Sequence, residues 1–108
     1  MMDDYIQVYT TTATREDAQN IADVLVERRL GGCVQIIGPV ISTYRWEGKI
    51  EHAEEWLCVI KSARHLYADL ERALAAQHSY DTPEIIAMPI VAGSQRYFHW
   101  LSQELQQG

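Results

Sequence analysis

The stretch CVQIIGPVISTYRWEGKIEHAEEWLCVIKS, residues 33–62, decides the fold. Two runs rich in β-branched and aromatic residues, Cys33–Trp46 and 50–62, flank a tight turn at Glu47-Gly48-Lys49 and predict a long β-hairpin. Gly38-Pro39 interrupts the first run, and we expect a bulge or a bend at that point.

A strand and a helix are predicted before the hairpin. Residues 5–12 are rich in β-branched and aromatic side chains, which is typical of a strand. Thr14, with Asp17 three positions later, has the spacing of a capping box, so we expect a helix to begin there. Gly31-Gly32 is expected to end it.

A helix, a strand and a last helix are predicted after the hairpin. We expect Ser62 to cap the first of these helices, and Pro83 to open a strand over 84–91. Apolar spacing from Tyr97 to Leu105 predicts the last helix. The order β-α-β-β-α-β with an additional C-terminal helix is typical of an α+β, ferredoxin-like fold, in which the second and fourth strands are the sheet edges.

The length of the hairpin predicts an oligomer. A strand of about 14 residues extends ~46 Å, whereas a domain of this size has a diameter of about 35 Å. The end of the hairpin, with Tyr44 and Trp46, is therefore expected to protrude. A long apolar edge strand left bare invites aggregation, so we expect other subunits to cover it.

Composition narrows the class of protein. The 108 residues suffice for a single domain spanning 1–108, and the net charge of −6 disfavours nucleic-acid binding. No apolar run reaches membrane-spanning length, and the acidic start, residues 1–4, does not resemble a signal peptide. Cys33 and Cys58 are expected to lie ~13 Å apart, too far for a disulfide, which favours a reduced, cytoplasmic protein.

The loop after the second helix is the first candidate site. It combines the imidazole of His78, the phenol of Tyr80 and the carboxylates of Asp81 and Glu84. These groups predict a ligand or metal site in which His78 is the nitrogen donor. The alternative is structural: His78 ends a helix, Asp81 forms a turn and Pro83 starts a strand.

The tip of the hairpin is the second candidate site. Trp46 is suited to stack on a ligand that Glu47 or Lys49 binds. Alternatively, the charges are solvated at a turn and Trp46 fills a subunit interface.

Cys33 and Lys61 are further candidates. The Cys33 thiolate suits a soft metal, although a strand cysteine also serves as a small buried apolar residue. Lys61 is suited to an anionic ligand, or it pairs with Glu84 on a nearby strand.

The sequence contains no local metal-binding or catalytic motif. The four histidines form no H-x-H, H-x-x-x-H or H-E-x-x-H, and no C-x-x-C occurs. A metal site would therefore be assembled by the fold or across subunits. No catalytic constellation is recognisable, so we predict a protein that is not an enzyme and requires no cofactor.

Several ordered blocks resemble the CutA family of divalent-cation tolerance proteins over nearly the whole chain. The blocks are Thr10-Thr11-Thr12, Cys33-Val34, Trp46-Glu47-Gly48-Lys49-Ile50, Lys61-Ser62, His78-Ser79-Tyr80-Asp81-Thr82-Pro83-Glu84-Ile85-Ile86 and Tyr97-Phe98-His99-Trp100-Leu101. The resemblance implies a ferredoxin-like fold, an interlocked homotrimer, a cytoplasmic setting in bacteria, and a link to copper and other divalent cations.

The resemblance also assigns metal donors. His78 occupies the histidine of the family's H-P-Y-x-x-P-E segment, with Ser79 in place of the proline. Gln77 and Thr10 stand where some members have a second histidine and a cysteine. This leaves His78 with Cys33, or with carboxylates such as Glu84, as implied donors for Cu²⁺ or Zn²⁺.

The sequence is compatible with three functions. The favoured one is a trimeric binding protein that holds a divalent cation or small ligand near His78, Tyr80 and Glu84 at a subunit cleft. The second is a signalling or adaptor module like the trimeric PII regulators, although their long modifiable loop is missing. The third, an acylphosphatase, needs a loop asparagine, whereas Asn20 falls within the first helix.

Overall fold

The computed structural model describes residues 4–107 and confirms the predicted order of strands and helices. The sheet has the antiparallel order β2-β3-β1-β4, so β2 and β4 are its edges, as predicted. A short 3₁₀ turn, Arg64–Leu66, links β3 to α2. The elements are β1 Tyr5–Thr12, α1 Arg15–Glu27, β2 Cys33–Trp46, β3 Lys49–Ala63, α2 Tyr67–Gln77, β4 Ile86–Pro89 and α3 Gln95–Glu104.

The two faces of the sheet have different environments. Alternate residues of β1 and β3, such as Val8 and Ile60, pack with Leu25 of α1 and Leu74 of α2 in the main core. Side chains of a strand alternate between faces, so the intervening residues lie on the opposite side. We call that side, which carries Thr11 on β1, the open face.

The β2–β3 hairpin extends well beyond this core. The described chain measures 44 Å along its longest axis, against 25 and 22 Å along the others. Trp46 pairs with Lys49, so the turn consists of Glu47 and Gly48 alone, with φ angles of 50° and 81°. Two positive φ angles define a type I′ turn, whose twist matches that of the strands it joins.

A bulge at the predicted break changes the direction of the side chains. Ile37 pairs with Leu57 and Val40 pairs with Glu55, so β2 advances three residues while β3 advances two. The additional residue reverses the alternation along β2, because opposite residues of a ladder share a face. Odd-numbered residues lie on the open face before the bulge, and even-numbered residues such as Tyr44 lie there after it.

The end of α1 differs from the prediction. The helix ends at Glu27, and the left-handed position belongs to Arg29, with a φ of 60°, rather than to Gly31-Gly32. Backbone hydrogen bonds from Arg29 to Val26 and from Leu30 to Leu25 form a Schellman motif. The Arg29 guanidinium donates to the carbonyl oxygens of Gln103 and Glu104, at the end of α3. These bonds provide a reason for arginine at a position that ordinarily takes glycine.

Two further boundaries were predicted wrongly. Ser62 does not cap a helix: it is buried in β3 and donates a 2.7 Å hydrogen bond to the carbonyl oxygen of Leu30. The fourth strand covers Ile86–Pro89 rather than 84–91. Among the described residues it pairs with β1, over four residues, and just beyond it the backbone N–H of Ile90 donates a 3.0 Å hydrogen bond to the carbonyl oxygen of Tyr5.

Both cysteines are free thiols in the structure, as expected. Cys33 pairs with Lys61 and Cys58 pairs with Ile36, so the two cysteines do not face each other across the hairpin. Residues 1–3, which belong to the acidic start considered above, lie outside the described part of the chain.

Candidate functional site: an acidic, aromatic cleft

A cavity of about 740 Å³ lies where the outer half of the hairpin meets the loop between α2 and β4. The bulge is essential to this arrangement, because it turns the even-numbered residues of outer β2 to the open face. The lining residues are Thr11, Ser42, Thr43, Tyr44, Trp46, Glu55, Ser79, Tyr80, Asp81, Thr82 and Glu84. We call this cavity the cleft.

The charged side chains that line the cleft are all acidic. Three carboxylates line it, those of Glu55, Asp81 and Glu84, and none of its lining residues is a lysine, arginine or histidine. Two aromatic side chains, Tyr44 and Trp46, come from the hairpin and remain 44% and 53% exposed. Such a site attracts cations and repels anions.

Glu55 and Tyr80 are joined by a hydrogen bond in the cleft, where Glu55 is buried and Tyr80 is half-buried. Glu55 is only 8% exposed, and its Oε2 accepts a 2.7 Å hydrogen bond from the Tyr80 hydroxyl. Burial, followed by the hydrogen bond and the charge of Glu55, raises the pKa of Tyr80, so its phenol stays protonated. Within residues 4–107 no cationic side chain pairs with Glu55.

His78 supports the cleft from behind rather than lining it. Its Nδ1 accepts a 3.2 Å hydrogen bond from the backbone N–H of Tyr80, so the ring proton is on Nε2, which lies 3.2 Å from Thr10 Oγ1. Burial lowers the pKa of His78. A hydrogen bond with the Thr11 backbone and the negative charges of Asp17 and Glu55 act in the opposite direction but do not outweigh it. Both ring nitrogens are thus engaged within the chain.

Cys33 and Lys61 lie elsewhere on the open face. They pair with each other across β2 and β3, and Lys61 Nζ donates a 2.8 Å hydrogen bond to Gln35 rather than pairing with Glu84. Lys61 is six residues from Glu55 along β3, which corresponds to ~20 Å. Within residues 4–107, no three histidine, cysteine, aspartate or glutamate side chains are close enough to hold a metal ion.

The structure therefore brings some of the sequence candidates together. Trp46, Tyr80 and Glu84 line the cleft, whereas Glu47 is exposed at the turn. Glu55 was missed, although one signal pointed to it. It precedes Leu57 and Val59 at alternate positions, so it extends an apolar stripe into which a carboxylate does not ordinarily fit.

The fold and the cleft define an α+β, ferredoxin-like protein with an acidic, aromatic cleft. The family model for the CutA1 divalent ion tolerance protein matches residues 6–104, and the chain belongs to this family. The CutA protein of Thermus thermophilus, named a divalent-cation tolerance protein, is 38% identical over 89% of this chain and 93% of its own length.

Other relatives place the family in several settings. Protein CutA, chloroplastic, of Arabidopsis thaliana is 41% identical over 89% of this chain, which spans about half (53%) of that relative's length. The CutA1 crystal structure from Oryza sativa is 34% identical, with a TM-score of 0.95 over 97% of this chain and 96% of its own. The CutA structure from Archaeoglobus fulgidus, described as periplasmic, is 35% identical, with a TM-score of 0.92 over 94% and 99% of the two chains.

No helix among residues 4–107 is both long enough and apolar enough to cross a bilayer.

Proposed function

We propose that this chain is a cytoplasmic, non-enzymatic binding protein that assembles as a homotrimer and holds a divalent cation or a small cationic ligand in the cleft. The observation that carries the proposal is the Glu55 carboxylate, which is buried in the cleft without a cationic partner in the described chain. A buried charge of this kind is costly unless an opposite charge compensates it.

The hairpin supports the trimer. Its outer half leaves large apolar side chains in solvent, among them Ile41 at 68% and Ile50 at 64% exposure, and β2 is an unpaired edge of the sheet. Contact with other copies of the chain would bury the apolar side chains and cover the open edge of β2. Sedimentation velocity at several concentrations tests this assembly, and a monomer throughout the range would contradict it.

The oxygen donors that line the cleft determine which metal ions it could hold. Its oxygen ligands, chiefly Glu55 and Glu84, suit hard divalent cations, whereas copper prefers nitrogen and sulfur. His78 would bind copper only by giving up a hydrogen bond to Tyr80 or Thr10, and a site that also used Cys33 would need a second chain.

Calorimetric titration separates these possibilities. We expect Zn²⁺, which accepts carboxylate ligands, to bind the wild type. Glu55→Gln should weaken that binding, with Glu54→Gln as the matched control on the adjacent, exposed residue. His78→Ala tests the nitrogen donor. Identical isotherms for wild type and Glu55→Gln would contradict metal binding in the cleft.

The residues that line the cleft also support the proposal that the protein is not an enzyme. No histidine or lysine lines the cleft to activate its hydroxyl groups, and the ring nitrogens of His78 are already hydrogen-bonded. The cytoplasmic setting is supported by the two free thiols, Cys33 and Cys58. Cell fractionation with an antibody to the chain tests the location.

A further inference from the structure

We propose that the preferred ligand of the cleft is an organic ammonium ion, such as an alkylated amine, rather than a bare metal ion. Its charge would pair with Glu55, and its alkyl groups would lie against the rings of Tyr44, Trp46 and Tyr80. This inference rests on the proposed function, because it names the chemical class that the same cleft would take.

The buried carboxylate of Glu55 favours a positively charged ligand. Glu55 is more than nine-tenths buried, and its one hydrogen-bond donor in the described chain is the neutral phenol of Tyr80. A phenol stabilises a carboxylate but does not neutralise it, so the low-dielectric site still favours a positive ligand. Asp81 and Glu84 add negative charge at the same cavity.

The aromatic side chains of the cleft favour an organic cation. Tyr44 and Trp46 are each about half exposed where they line the cleft, so ring surface is available to a ligand. The negative face of an aromatic ring attracts cations, and alkylated ammonium ions are the group that aromatic cages recognise. A carboxylate combined with several rings therefore favours an organic cation over a strongly hydrated one.

The size of the cleft and the spread of its carboxylates disfavour a bare metal ion. Ca²⁺ takes six to eight oxygen ligands at about 2.3–2.6 Å, and Mg²⁺ requires an octahedron at about 2.0–2.1 Å. The carboxylates of the cleft are distributed around about 740 Å³, and no three acidic, histidine or cysteine side chains converge within residues 4–107. An organic ammonium ion needs no such convergence, because one ion pair and apolar contact are sufficient to hold it.

A pair of probes of equal shape tests the proposal. Choline carries a quaternary ammonium, and 3,3-dimethylbutan-1-ol replaces its nitrogen by carbon and is neutral. In calorimetric titrations of the intact protein we expect choline to bind at least about tenfold more tightly than the alcohol. Equal affinities, or no binding of choline, would overturn the proposal.

Variants locate the binding in the cleft. Glu55→Gln keeps the size of the side chain and an acceptor for Tyr80, and we expect it to weaken choline binding at least about tenfold. We expect Trp46→Leu to weaken it about fivefold. The matched controls are Glu54→Gln and Trp100→Leu, because both residues are exposed and lie outside the cleft. Equal losses in the controls would also overturn the proposal.

The same titrations distinguish this inference from the proposed function. If Zn²⁺ binds in a manner that depends on Glu55 while choline does not bind, the proposed function stands and the ammonium inference fails. If neither cation produces a Glu55-dependent signal, both fail. If choline binds and Glu55→Gln abolishes its binding, the inference is supported whether or not a metal also enters.

Discussion

The Tyr80 hydroxyl donates a 2.7 Å hydrogen bond to the buried Glu55 carboxylate, and this bond joins the loop between α2 and β4 to strand β3. Hydrogen bonds to charged groups contribute more to stability than neutral ones do, about 1.5–3 kcal/mol. The backbone N–H of Tyr80 is held in turn by His78. The position of one side of the cleft therefore depends on Tyr80 and its partners.

The first prediction concerns this bond. Tyr80→Phe removes the donor and leaves the Glu55 carboxylate buried without it, so we expect the free energy of unfolding to fall by about 2 kcal/mol. Urea denaturation at one fixed protein concentration measures the change. Tyr44→Phe is the control, because the Tyr44 hydroxyl lines the same cleft without a hydrogen bond to any residue in the 4–107 range. Equal losses in both variants would contradict the assigned role.

The second prediction concerns pH. The pKa of His78 is below its ordinary value of about 6.5, so the unfolded chain binds a proton more readily than the folded one. Its contribution to stability is complete above pH 6.5 and is lost as the pH falls from there towards the folded pKa. We expect His78→Gln to flatten this part of the stability profile, measured by urea denaturation between pH 7.5 and 5.

The control for the pH prediction is a second histidine. His99 is exposed on α3, and His99→Gln should leave the wild-type profile unchanged. A His78→Gln profile that coincides with the wild type would show that another group, such as a carboxylate, causes the dependence.

The third prediction concerns the hairpin turn. Glu47 adopts a φ of 50°, which strains a residue with a Cβ, and asparagine tolerates this conformation better. We expect Glu47→Asn to stabilise the protein by about 0.5–1 kcal/mol. A shift of the urea midpoint measures the change. Glu51→Asn, within β3 of the same hairpin, serves as a control that should give no gain, since asparagine is a poor strand former.

The fourth prediction concerns Arg29, which holds two structural roles at once. Arg29→Gly removes the guanidinium bonds to α3 but relieves the left-handed backbone, whereas Arg29→Ala loses the bonds and keeps the strain. We therefore expect the alanine variant to be less stable than the glycine variant by about 1 kcal/mol. Both should accelerate amide hydrogen exchange at the end of α3. A glycine variant with unchanged exchange there would contradict the bridging role.

Much of the fold followed from local patterns. The alternation and β-branched content of Cys33–Trp46, together with the glycine turn at its end, predicted the hairpin, because strand period and turn chemistry are short-range properties. The trimer that the hairpin length implies stays a prediction. The end of α1 was missed because arginine is rarely left-handed, and its reason lies 75 residues away in α3.

The cleft was predictable only in part. His78, Tyr80 and Glu84 share a loop, so their proximity was evident from the sequence. The contact of that loop with Glu55 depends on the register of β3 with both its neighbours, which a single sequence does not give. The placement of Tyr44 also depends on the bulge, which adds one residue to β2. Gly38-Pro39 indicates an irregularity in the strand, but the sequence does not give the number of additional residues.

The bulge also determines which changes of length the hairpin tolerates. Inserting or deleting one residue between Val40 and Tyr44 would rotate Tyr44 and Trp46 to the side that faces away from Glu55. A change of two residues in each strand would preserve their orientation and would only move the tip outward or inward by ~7 Å. Hairpins of different reach are thus compatible with the same cleft, provided that their lengths differ in even steps.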